Sequence, residues 1–317
     1  MQYELLAAVD VGSNSFYLQI GRAAGERIEA LESLREPVGL AAGLTADGEL
    51  DYSTQSRALE ALARFGERLR GFPPHAVRAV GTHALRVAKN AAQFLEAAEA
   101  ALGFPIEVLD GAQEARLTYL GVAHSLPASS QRRLVVDIGG GSTEFIVGTG
   151  FDPMLIESLP LGCIGYSRRY FPDGRVEAAS MNAAVVAAHE ALQGIADTFR
   201  TAGWQEAVAS SGSARAIAGV LQGFGWADGT LTGAGLARLS EHLIESGELA
   251  RARLTGLHAD QQAILPGALA IMIALFRSFG VGEMRVTDAA LRQGVLYDLL
   301  GRLGRREPQG GTRTRVA

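Results

Sequence analysis

One short pattern occurs twice in this chain of 317 residues: an apolar run that ends in Asp-x-Gly, a turn rich in glycine and serine, and a second apolar run. The first copy contains Asp10 and leads into Phe16, and the second contains Asp137 and leads into Phe145. The copies are separated by about the length of a small domain. Because each copy opens its own series of strands and helices, the repeat predicts a duplicated domain whose two lobes face each other across a cleft.

Strand and helix patterns alternate along most of the sequence. Short apolar or alternating runs predict strands over 5–11, 16–21 and 27–34. One-sided apolar spacing then predicts a surface helix that is capped by Ser53 and stopped by Pro73. Further strands and helices follow in the same alternation, which is typical of an α/β layer fold.

A polar break at 127–131 predicts the boundary between the two lobes. We therefore expect a first lobe over 1–126 and a second lobe, with additional helices, over 127–301. The tail 302–317 contains five arginines, two adjacent glycines and one proline. This tail is predicted either to fray or to pack on the first lobe.

Charge and cysteine content restrict the classes of partner and compartment. The chain has 29 basic and 34 acidic residues, a net charge of −5, so no overall basic field attracts nucleic acid or an anionic membrane. The single cysteine, Cys163, excludes an intramolecular disulfide and a zinc ribbon. The longest apolar run, 268–276, is shorter than the ~20 residues of a membrane span, and 1–11 lacks a basic signal-like region. We expect a cytoplasmic protein with no nucleic-acid or membrane partner, in which any polyanion is bound locally.

The two Asp-x-Gly turns are candidate phosphate cradles. Glycine lets the backbone approach an anion closely and adopt positive φ, and neighbouring hydroxyls add hydrogen-bond donors. A single glycine-rich turn is usually a plain hairpin, whereas a matched pair with strand-end aspartates favours phosphate binding. The candidate phosphate-binding residues of the two turns are Gly12, Ser13, Asn14, Ser15, Gly139, Gly140, Gly141, Ser142 and Thr143.

A third candidate segment, Ser211, Gly212 and Ser213, lies between a predicted strand and a predicted helix. Free N–H groups at such a junction favour an anion, but a serine that only caps the helix explains the pattern nearly as well. The chain contains no G-x-x-x-x-G-K-[ST] loop and no G-x-G-x-x-G that opens a helix. We therefore do not expect either of these two common loops to bind phosphate here.

Five segments resemble, in their order and spacing, the motifs of one known family. The segments are Ala8–Phe16, Gly81–Arg86, Glu114–Arg116, Val135–Glu144 and Ala290–Gly294. On these residues the chain resembles the exopolyphosphatase / guanosine pentaphosphate phosphohydrolase family, over about Leu6 to Leu303. The resemblance implies two ribonuclease-H-like lobes around a central cleft with a phosphate site, as in the superfamily of acetate and sugar kinases, heat-shock chaperones and actin.

The resemblance places the water-activating carboxylate at Glu114, in the helix that ends the first lobe. From the residues alone, Glu114 would be solvated or paired with Arg86 or Arg116. In the family role it orients or deprotonates a water for in-line attack on a terminal phosphorus. The same resemblance places Arg86 at the cleft as a bidentate phosphate ligand, with a surface salt bridge as the alternative.

The resemblance also places Asp137 and Glu144 beside a divalent metal ion. Carboxylate oxygens suit Mg²⁺, which takes one or two carboxylates and completes its shell with waters and phosphate oxygens. Strand alternation puts Ser142 and Glu144 on one face, so both side chains can point into the gap. Asp10 would either hold the metal through water or order its own turn.

The resemblance implies a Mg²⁺-dependent phosphohydrolase that releases terminal orthophosphate from inorganic polyphosphate, guanosine pentaphosphate or both. Two alternatives stay open: a kinase or ATPase of the same superfamily, and a sensor that binds the alarmone or polyphosphate without turnover. Longer members of the family form dimers, so a homodimer is also open here. Two positions depart from the family pattern, Ala289 where glycine is usual and Gln293 where glutamate is common.

Overall fold

The computed structural model describes residues 5–255, 257 and 259–306. The protein belongs to the α/β class and is built around two mixed β-sheets, as the alternation of strand and helix patterns predicts. The predicted tail lies partly outside the described residues. Residues 302–306 extend the last helix, and 307–317 are not among the residues described.

The first sheet has five strands, three of which form an antiparallel meander. The strands are β1 (Leu5–Val11), β2 (Ser15–Ala24), β3 (Arg27–Pro37), β4 (Val77–Gly81) and β5 (Ile106–Val108). Their order is β3-β2-β1-β4-β5, and both β4 and β5 run parallel to β1. The three predicted opening strands are confirmed, and β1 has the predicted bounds.

The second sheet repeats this topology and adds one strand. The strands are β6 (Arg132–Ile138), β7 (Thr143–Thr149), β8 (Asp152–Leu159), β9 (Glu206–Ser210), β10 (Thr230–Thr232) and β11 (Glu283–Thr287). Their order is β10-β11-β9-β6-β7-β8, so the series β8-β7-β6-β9-β11 matches the first sheet in order and direction. Asp10 lies opposite Tyr17 in one sheet, and Asp137 lies opposite Glu144 in the other. The predicted duplication is therefore confirmed down to individual residue pairs.

Helices cover both faces of the two sheets. Within the described residues they are α1 (Tyr52–Arg68), α2 (His83–Val87), α3 (Ala91–Leu102), α4 (Gly111–Ser125), α5 (Cys163–Tyr170), α6 (Ala178–Ala202), α7 (Gly212–Gly223), α8 (Gly233–Ser246), α9 (Ala259–Phe279) and α10 (Leu291–Arg306). Helix α1 begins just before the predicted cap. Asp51, rather than Ser53, is the N-cap, because its carboxylate accepts hydrogen bonds from the Thr54 N–H and the Ser53 hydroxyl, both at 2.7 Å.

Helices α4 and α10 each pack on the sheet that belongs mainly to the other half of the chain. Tyr119 of α4 is buried against Val135 and Ile146 of the second sheet. Leu296 of α10 is buried in a cluster with Ala8 of the first sheet. Helix α10, which the sequence places in the second lobe, therefore covers the first sheet, and the two halves of the chain are interlocked.

Two glycines let α4 and α10 cross closely. A Cβ atom on Gly294 would lie 1.7 Å from the carbonyl oxygen of Leu117, and one on Gly121 would lie 2.4 Å from the carbonyl oxygen of Ala290. The backbones can touch only because both positions lack a side chain. The predicted lobe boundaries stay a prediction, because each half of the chain contributes a helix to the other.

Helix α9 lies in the larger core. It begins at Ala259, so Pro266 lies inside the helix. Packing against α5 and α6 compensates for the N–H that proline lacks. The segment Asp260–Phe279 is long and apolar enough to cross a membrane by length and composition alone, with a mean hydropathy of 1.6. However, 78% of the 18-residue window with this hydropathy is buried inside the protein, as in a core helix.

Gly294→Ala is expected to lower the free energy of unfolding by about 1–3 kcal/mol, because the added methyl group overlaps the Leu117 carbonyl at the helix crossing. Gly194→Ala is the matched control, since Gly194 lies in α6 and a Cβ there meets nothing within 4 Å. The control is expected to be neutral or to stabilise the protein by up to ~1 kcal/mol. Urea unfolding followed by circular dichroism measures both variants, and equal losses would contradict the close crossing.

Candidate active site

The two Asp-x-Gly turns meet at one end of a cleft between the sheets. A Cβ atom on Gly140 of the second turn would lie 3.1 Å from Cβ of Ser13 and 3.4 Å from the backbone nitrogen of Asn14 in the first turn. The Ser13 hydroxyl accepts a hydrogen bond at 3.2 Å from the N–H of Ala84, at the start of α2. The turns therefore face each other at contact distance, in the arrangement that the repeat predicts.

A cavity of about 130 Å³ occupies this cleft, and most of the predicted site residues line it. Both turns, the junction before α7 and four carboxylates contribute to the lining. The predicted residues among the lining are Asp10, Gly12, Ser13, Asn14, Ser15, Glu114, Asp137, Gly139, Gly140, Gly141, Ser142, Glu144, Ser211, Gly212 and Ser213. Two predicted phosphate ligands, Thr143 and Arg86, do not line this cavity.

The turn glycines serve close approach rather than unusual backbone geometry. The expected positive φ is wrong, because Gly12 and the three glycines 139–141 all lie outside that region. A Cβ on Gly12 would lie 2.7 Å from the Ser15 carbonyl oxygen, and one on Gly141 would lie 2.4 Å from the His83 ring. Side chains at these positions would push the turns apart and fill the space beside them.

Thr143 is a structural residue and not a donor to the cleft. Its side chain is fully buried, and its hydroxyl donates a hydrogen bond to the carbonyl oxygen of Leu161. The bond attaches β7 to the segment before α5. The hydroxyl of Thr143 thus holds the turn in place, and the predicted phosphate contact of Thr143 stays a prediction.

The carbonyl groups of the second turn cap helix α5. The N–H of Cys163 donates to the Gly139 carbonyl at 3.0 Å, and that of Ile164 donates to the Gly140 carbonyl at 3.1 Å. Cys163 is buried, and burial raises the pKa of its thiol to about 11. The carbonyls of these glycines thus support the fold, which leaves the opposite side of the turn facing the cleft.

The junction before α7 satisfies the capping interpretation and also faces the cleft. The Ser211 hydroxyl accepts a hydrogen bond at 3.0 Å from the N–H of Ala214, which makes Ser211 the N-cap of α7. The next serine, Ser213, donates to the sulfur of Cys163 at 3.4 Å. A Cβ on Gly212 would meet nothing within 4 Å, so the backbone there is open to a ligand.

Four carboxylates dominate the electrostatics of the cleft: Glu114 and Glu144 are buried, and Asp10 and Asp137 are half-buried. Burial and then the nearby Glu114 raise the pKa of Asp10 from 3.8 to about 7. The pKa of Asp137 also rises to about 7 because of burial, although a hydrogen bond from the Ser210 hydroxyl at 2.9 Å opposes the shift. Burial, followed by repulsion from Glu114 and Asp137, raises the pKa of Glu144 well above its usual value. The four groups therefore compete for protons unless cations neutralise them.

Glu114 is presented to the cleft from the first turn of α4. The capping box formed by Asp110 and Gln113 fixes the start of this helix. Arg86 donates hydrogen bonds from Nη1 to Oε2 of Glu114 at 2.6 Å and to the Leu109 carbonyl at 2.8 Å. The pKa of Glu114 is nevertheless raised, because the effect of burial exceeds that of Arg86.

Arg86 takes the salt-bridge role that the sequence left as its alternative. It pairs with Glu114 and lines a separate cavity of about 510 Å³. Arg86 thus acts on Glu114 rather than facing the cleft between the turns. Its predicted grip on phosphate stays a prediction.

The oxygen donors in the cleft fit Mg²⁺. Oδ1 of Asp10 and the hydroxyl oxygen of Ser15 are buried without a hydrogen-bond partner. Glu144 accepts a hydrogen bond from the Ser158 hydroxyl at 2.9 Å, which orients its carboxylate. Among the described residues, no group of three His, Cys, Asp or Glu side chains could hold a metal ion alone. Such a partial, all-oxygen donor set suits an ion that completes its shell with waters and phosphate oxygens.

Several lining residues were not predicted as site residues. They are basic or polar and come from β2, β3 and the first turns of three helices: Tyr17, Arg35, Arg215, Gln261 and Arg292. Tyr17 could have been identified by aligning the two copies of the repeat, because Tyr17 is the counterpart of Glu144. Arg292 lies within the segment Ala290–Gly294 but was not assigned a role. The others have no local sequence signal, because distant elements bring them together.

The departure at Gln293 leaves the start of α10 intact. Oε1 of Gln293 accepts a hydrogen bond at 2.9 Å from the N–H of Ala290, as a glutamate would at the same position of a capping box. Ala289 is buried, with 4% of its surface exposed. Gln293 therefore supports the helix that carries Arg292 into the cleft.

Asp10→Asn is expected to stabilise the metal-free protein at pH 8. Folding raises the pKa of Asp10 from 3.8 to about 7. The contribution of Asp10 to the free energy of unfolding therefore has its full value below about pH 4 and is lost as the pH rises to about 7. The variant does not ionise, so in EDTA its melting temperature is expected to exceed that of wild type by about 2–4 °C at pH 8 and by less at pH 5. Asp47→Asn, at an exposed position, is the control. A pH-independent difference would contradict the burial of an ionisable Asp10.

Solved structures with the same fold cover nearly the whole chain. The Aquifex aeolicus PPX-GPPA enzyme is 25% identical in sequence, with a TM-score of 0.76 over 93% of this chain and 99% of that one. An exopolyphosphatase from Cytophaga hutchinsonii is 24% identical, with a TM-score of 0.84 over 94% of this chain and 98% of that one. Nucleoside triphosphate hydrolases from Neospora caninum are 11% identical, with a TM-score of 0.56 over 95% and 93%. The predicted two-lobed, actin-like fold is thereby confirmed.

A family model agrees with these structures. The model of the Ppx/GppA phosphatase family matches residues 20–303. The match includes Glu114, Asp137 and Glu144, whereas Asp10 and the first turn precede it. Because the match spans most of the sequence, the chain belongs to the Ppx/GppA phosphatase family.

Proposed function

We propose that the protein is a Mg²⁺-dependent phosphohydrolase that releases terminal orthophosphate from inorganic polyphosphate, guanosine pentaphosphate or both. Membership of a phosphatase family supports hydrolysis as the reaction class. The observation that carries the proposal is the position of Glu114, a buried carboxylate that faces the same cavity as two meeting glycine turns. A base and an anion cradle in one cleft are the minimum that phosphoanhydride hydrolysis requires.

The glycine turns would bind the terminal phosphate. The close approach of Gly140 to Ser13 leaves a narrow space in which an anion can contact backbone from both halves of the chain. The unpartnered hydroxyl of Ser15 would donate to a phosphate oxygen. Ser142, at the end of the second turn, faces the same cavity.

The remaining carboxylates would neutralise the substrate through a metal ion. Asp137 and Glu144 would hold Mg²⁺, with Asp10 acting through a bound water, and the ion would supply charge neutralisation to the phosphate oxygens when it is bound. The hydrogen bonds from Ser210 and Ser158 orient two of these carboxylates in advance. Such positioning reduces the reorganisation that the reaction needs.

Glu114 would accept the proton of the attacking water. Arg86 engages Oε2, so the other carboxylate oxygen is left to bind the water. As the water oxygen forms a bond to the terminal phosphorus, the bond between that phosphorus and the bridging oxygen breaks. The shortened chain leaves with the electron pair of that bond, and Glu114 holds the proton from the water. The raised pKa of Glu114 favours this proton transfer.

Glu114→Gln is expected to lower kcat by about 10²–10⁴-fold, because the amide cannot accept the proton. Glu190→Gln, at an exposed position of α6, is the control and is expected to keep full activity. Orthophosphate release from long-chain polyphosphate and from guanosine pentaphosphate, in the presence of Mg²⁺, measures both variants. Full turnover by the Gln variant would overturn the assignment of the base. Binding without turnover by wild type would support the sensor, and labelling of an acceptor by ATP would support the kinase.

Arg86→Gln is expected to separate positioning of Glu114 from binding of phosphate. Arg86 lowers the pKa of Glu114, so its removal should move the acidic limb of the kcat profile to higher pH. The variant should recover part of its activity as the pH rises, and Arg86→Lys should show a smaller shift. An increase in KM with an unchanged pH profile would instead assign Arg86 to the substrate.

A further inference from the structure

One wall of the cleft is basic, and it lies apart from the cation that the sequence predicted. Arg86 is held behind Glu114 in the separate cavity. Three arginines line the cleft itself, Arg35, Arg215 and Arg292. Tyr17 lines it beside them. A polyanion in this cleft would therefore meet these three guanidinium groups.

Of these three arginines, Arg292 is the one whose charge is not balanced by an ion pair with a carboxylate of the described residues. Its guanidinium lies 4.8 Å from the centre of the Tyr17 ring, and Nε donates to Oε1 of Gln19 at 3.0 Å. Its Nη2 donates to the backbone carbonyl of Asp288 at 3.3 Å. Among the described residues, no carboxylate forms an ion pair with Arg292. Burial and the neighbouring Arg215 lower the pKa of Arg292, and an anion beside the guanidinium would oppose that shift.

The other two arginines extend the basic wall on either side of Arg292. Arg215, in the first turn of α7, lies 3.5 Å from Oδ1 of Asp288, whose side chain is 88% exposed. Arg35, on β3, pairs with Asp260 and reaches the Tyr17 hydroxyl. The side chains of this pair are 28% and 29% exposed, so the wall reaches solvent at Arg35.

These contacts define a continuous row that starts beside the catalytic carboxylates. Arg292 interacts electrostatically with Asp10, its guanidinium stacks on Tyr17, and Tyr17 in turn contacts Arg35. We call Arg292, Tyr17 and Arg35 the arginine row. The row runs from the buried end of the cleft to its exposed edge.

We infer that the arginine row binds the internal phosphates of a linear polyphosphate, with Arg292 next to the cleaved bond and Arg35 farther along the chain. The inference rests on the proposed function and identifies the residues that select its substrate. Each guanidinium can form two parallel hydrogen bonds to one phosphate, and successive phosphates of a linear chain each offer the same oxygens. Asp260 would release Arg35 when the chain arrives.

The same row disfavours a nucleotide. Tyr17 is the only aromatic residue among the described residues that line the cleft, and Arg292 covers its ring. A purine therefore finds no open aromatic face on which to stack. Wild type is expected to hydrolyse long-chain polyphosphate with a higher kcat/KM than guanosine pentaphosphate.

The decisive comparison is between Arg35→Gln and Asp260→Asn in the full-length protein. If Arg35 binds the chain, Arg35→Gln should raise KM for long-chain polyphosphate about tenfold and leave KM for tripolyphosphate unchanged. Asp260→Asn removes the competing carboxylate, so its KM for the long chain should be equal to or below that of wild type. If the Arg35–Asp260 pair only stabilises the fold, both variants should raise KM for the long chain alike. This result would overturn the inference that the arginine row binds the chain.

Arg292→Gln tests the inner end of the row. It should raise KM for both tripolyphosphate and long-chain polyphosphate by at least about tenfold, with partial rescue in Arg292→Lys. Arg238→Gln, whose guanidinium lies over the ring of Trp226, is the matched control and should change neither value. Circular dichroism reports whether the Arg292 variants fold, and the Arg35 comparison decides the inference if they do not. Absence of phosphate release by wild type would refute the proposed function, whereas an active wild type that prefers guanosine pentaphosphate would refute only the substrate selection.

Discussion

Repulsion among four carboxylates in one cleft is the constraint on which the rest of this structure depends. Glu114 and Glu144 are buried, Asp10 and Asp137 are half-buried, and the loss of contact with water raises the pKa of each. A protein that needed only stability would replace such a cluster with apolar side chains. The cluster is therefore a property of function, and its charge must be balanced by protons, by a cation or by neighbouring arginines. The hydroxyls of Ser158 and Ser210, the Arg86 pair and the arginine row each reduce part of that repulsion.

The scaffold can hold this cluster because its two halves cannot separate easily. Helix α4 carries Glu114 and packs on the second sheet, while α10 carries Arg292 and packs on the first. The backbone contact of Gly294 with Leu117 joins these two helices directly. Glu114 from one half of the chain and Arg292 from the other are thus positioned by a single helix crossing. This arrangement couples the packing of the core to the geometry of the cleft.

Local patterns in the sequence were enough to predict the strands, the repeat and the two meeting turns. Each of these depends on residues close together in the chain, such as the Asp-x-Gly segments at Asp10 and Asp137. The sequence could not show that the Thr143 hydroxyl donates to the Leu161 carbonyl. It also could not show that the turn glycines allow close backbone contact and have no positive φ. It also could not show that Arg86 pairs with Glu114 or that Arg292 lines the cleft. Whether an arginine faces a cleft or the back of a carboxylate depends on long-range packing, which no local spacing records.

The repeat explains why one cleft has an acidic side and a basic side. Tyr17 and Glu144 occupy the same position in the two copies, each opposite the strand-end aspartate. In the second copy Glu144 adds a second carboxylate beside Asp137. In the first copy the tyrosine instead provides a ring on which Arg292 stacks and a hydroxyl that Arg35 reaches. A glutamate in place of Tyr17 would add a carboxylate beside Arg292 and Arg35, and this carboxylate would compete with a polyanion for both guanidinium groups. Divergence at this one pair of positions therefore separates the end of the cleft that would hold a metal from the end that would hold the chain.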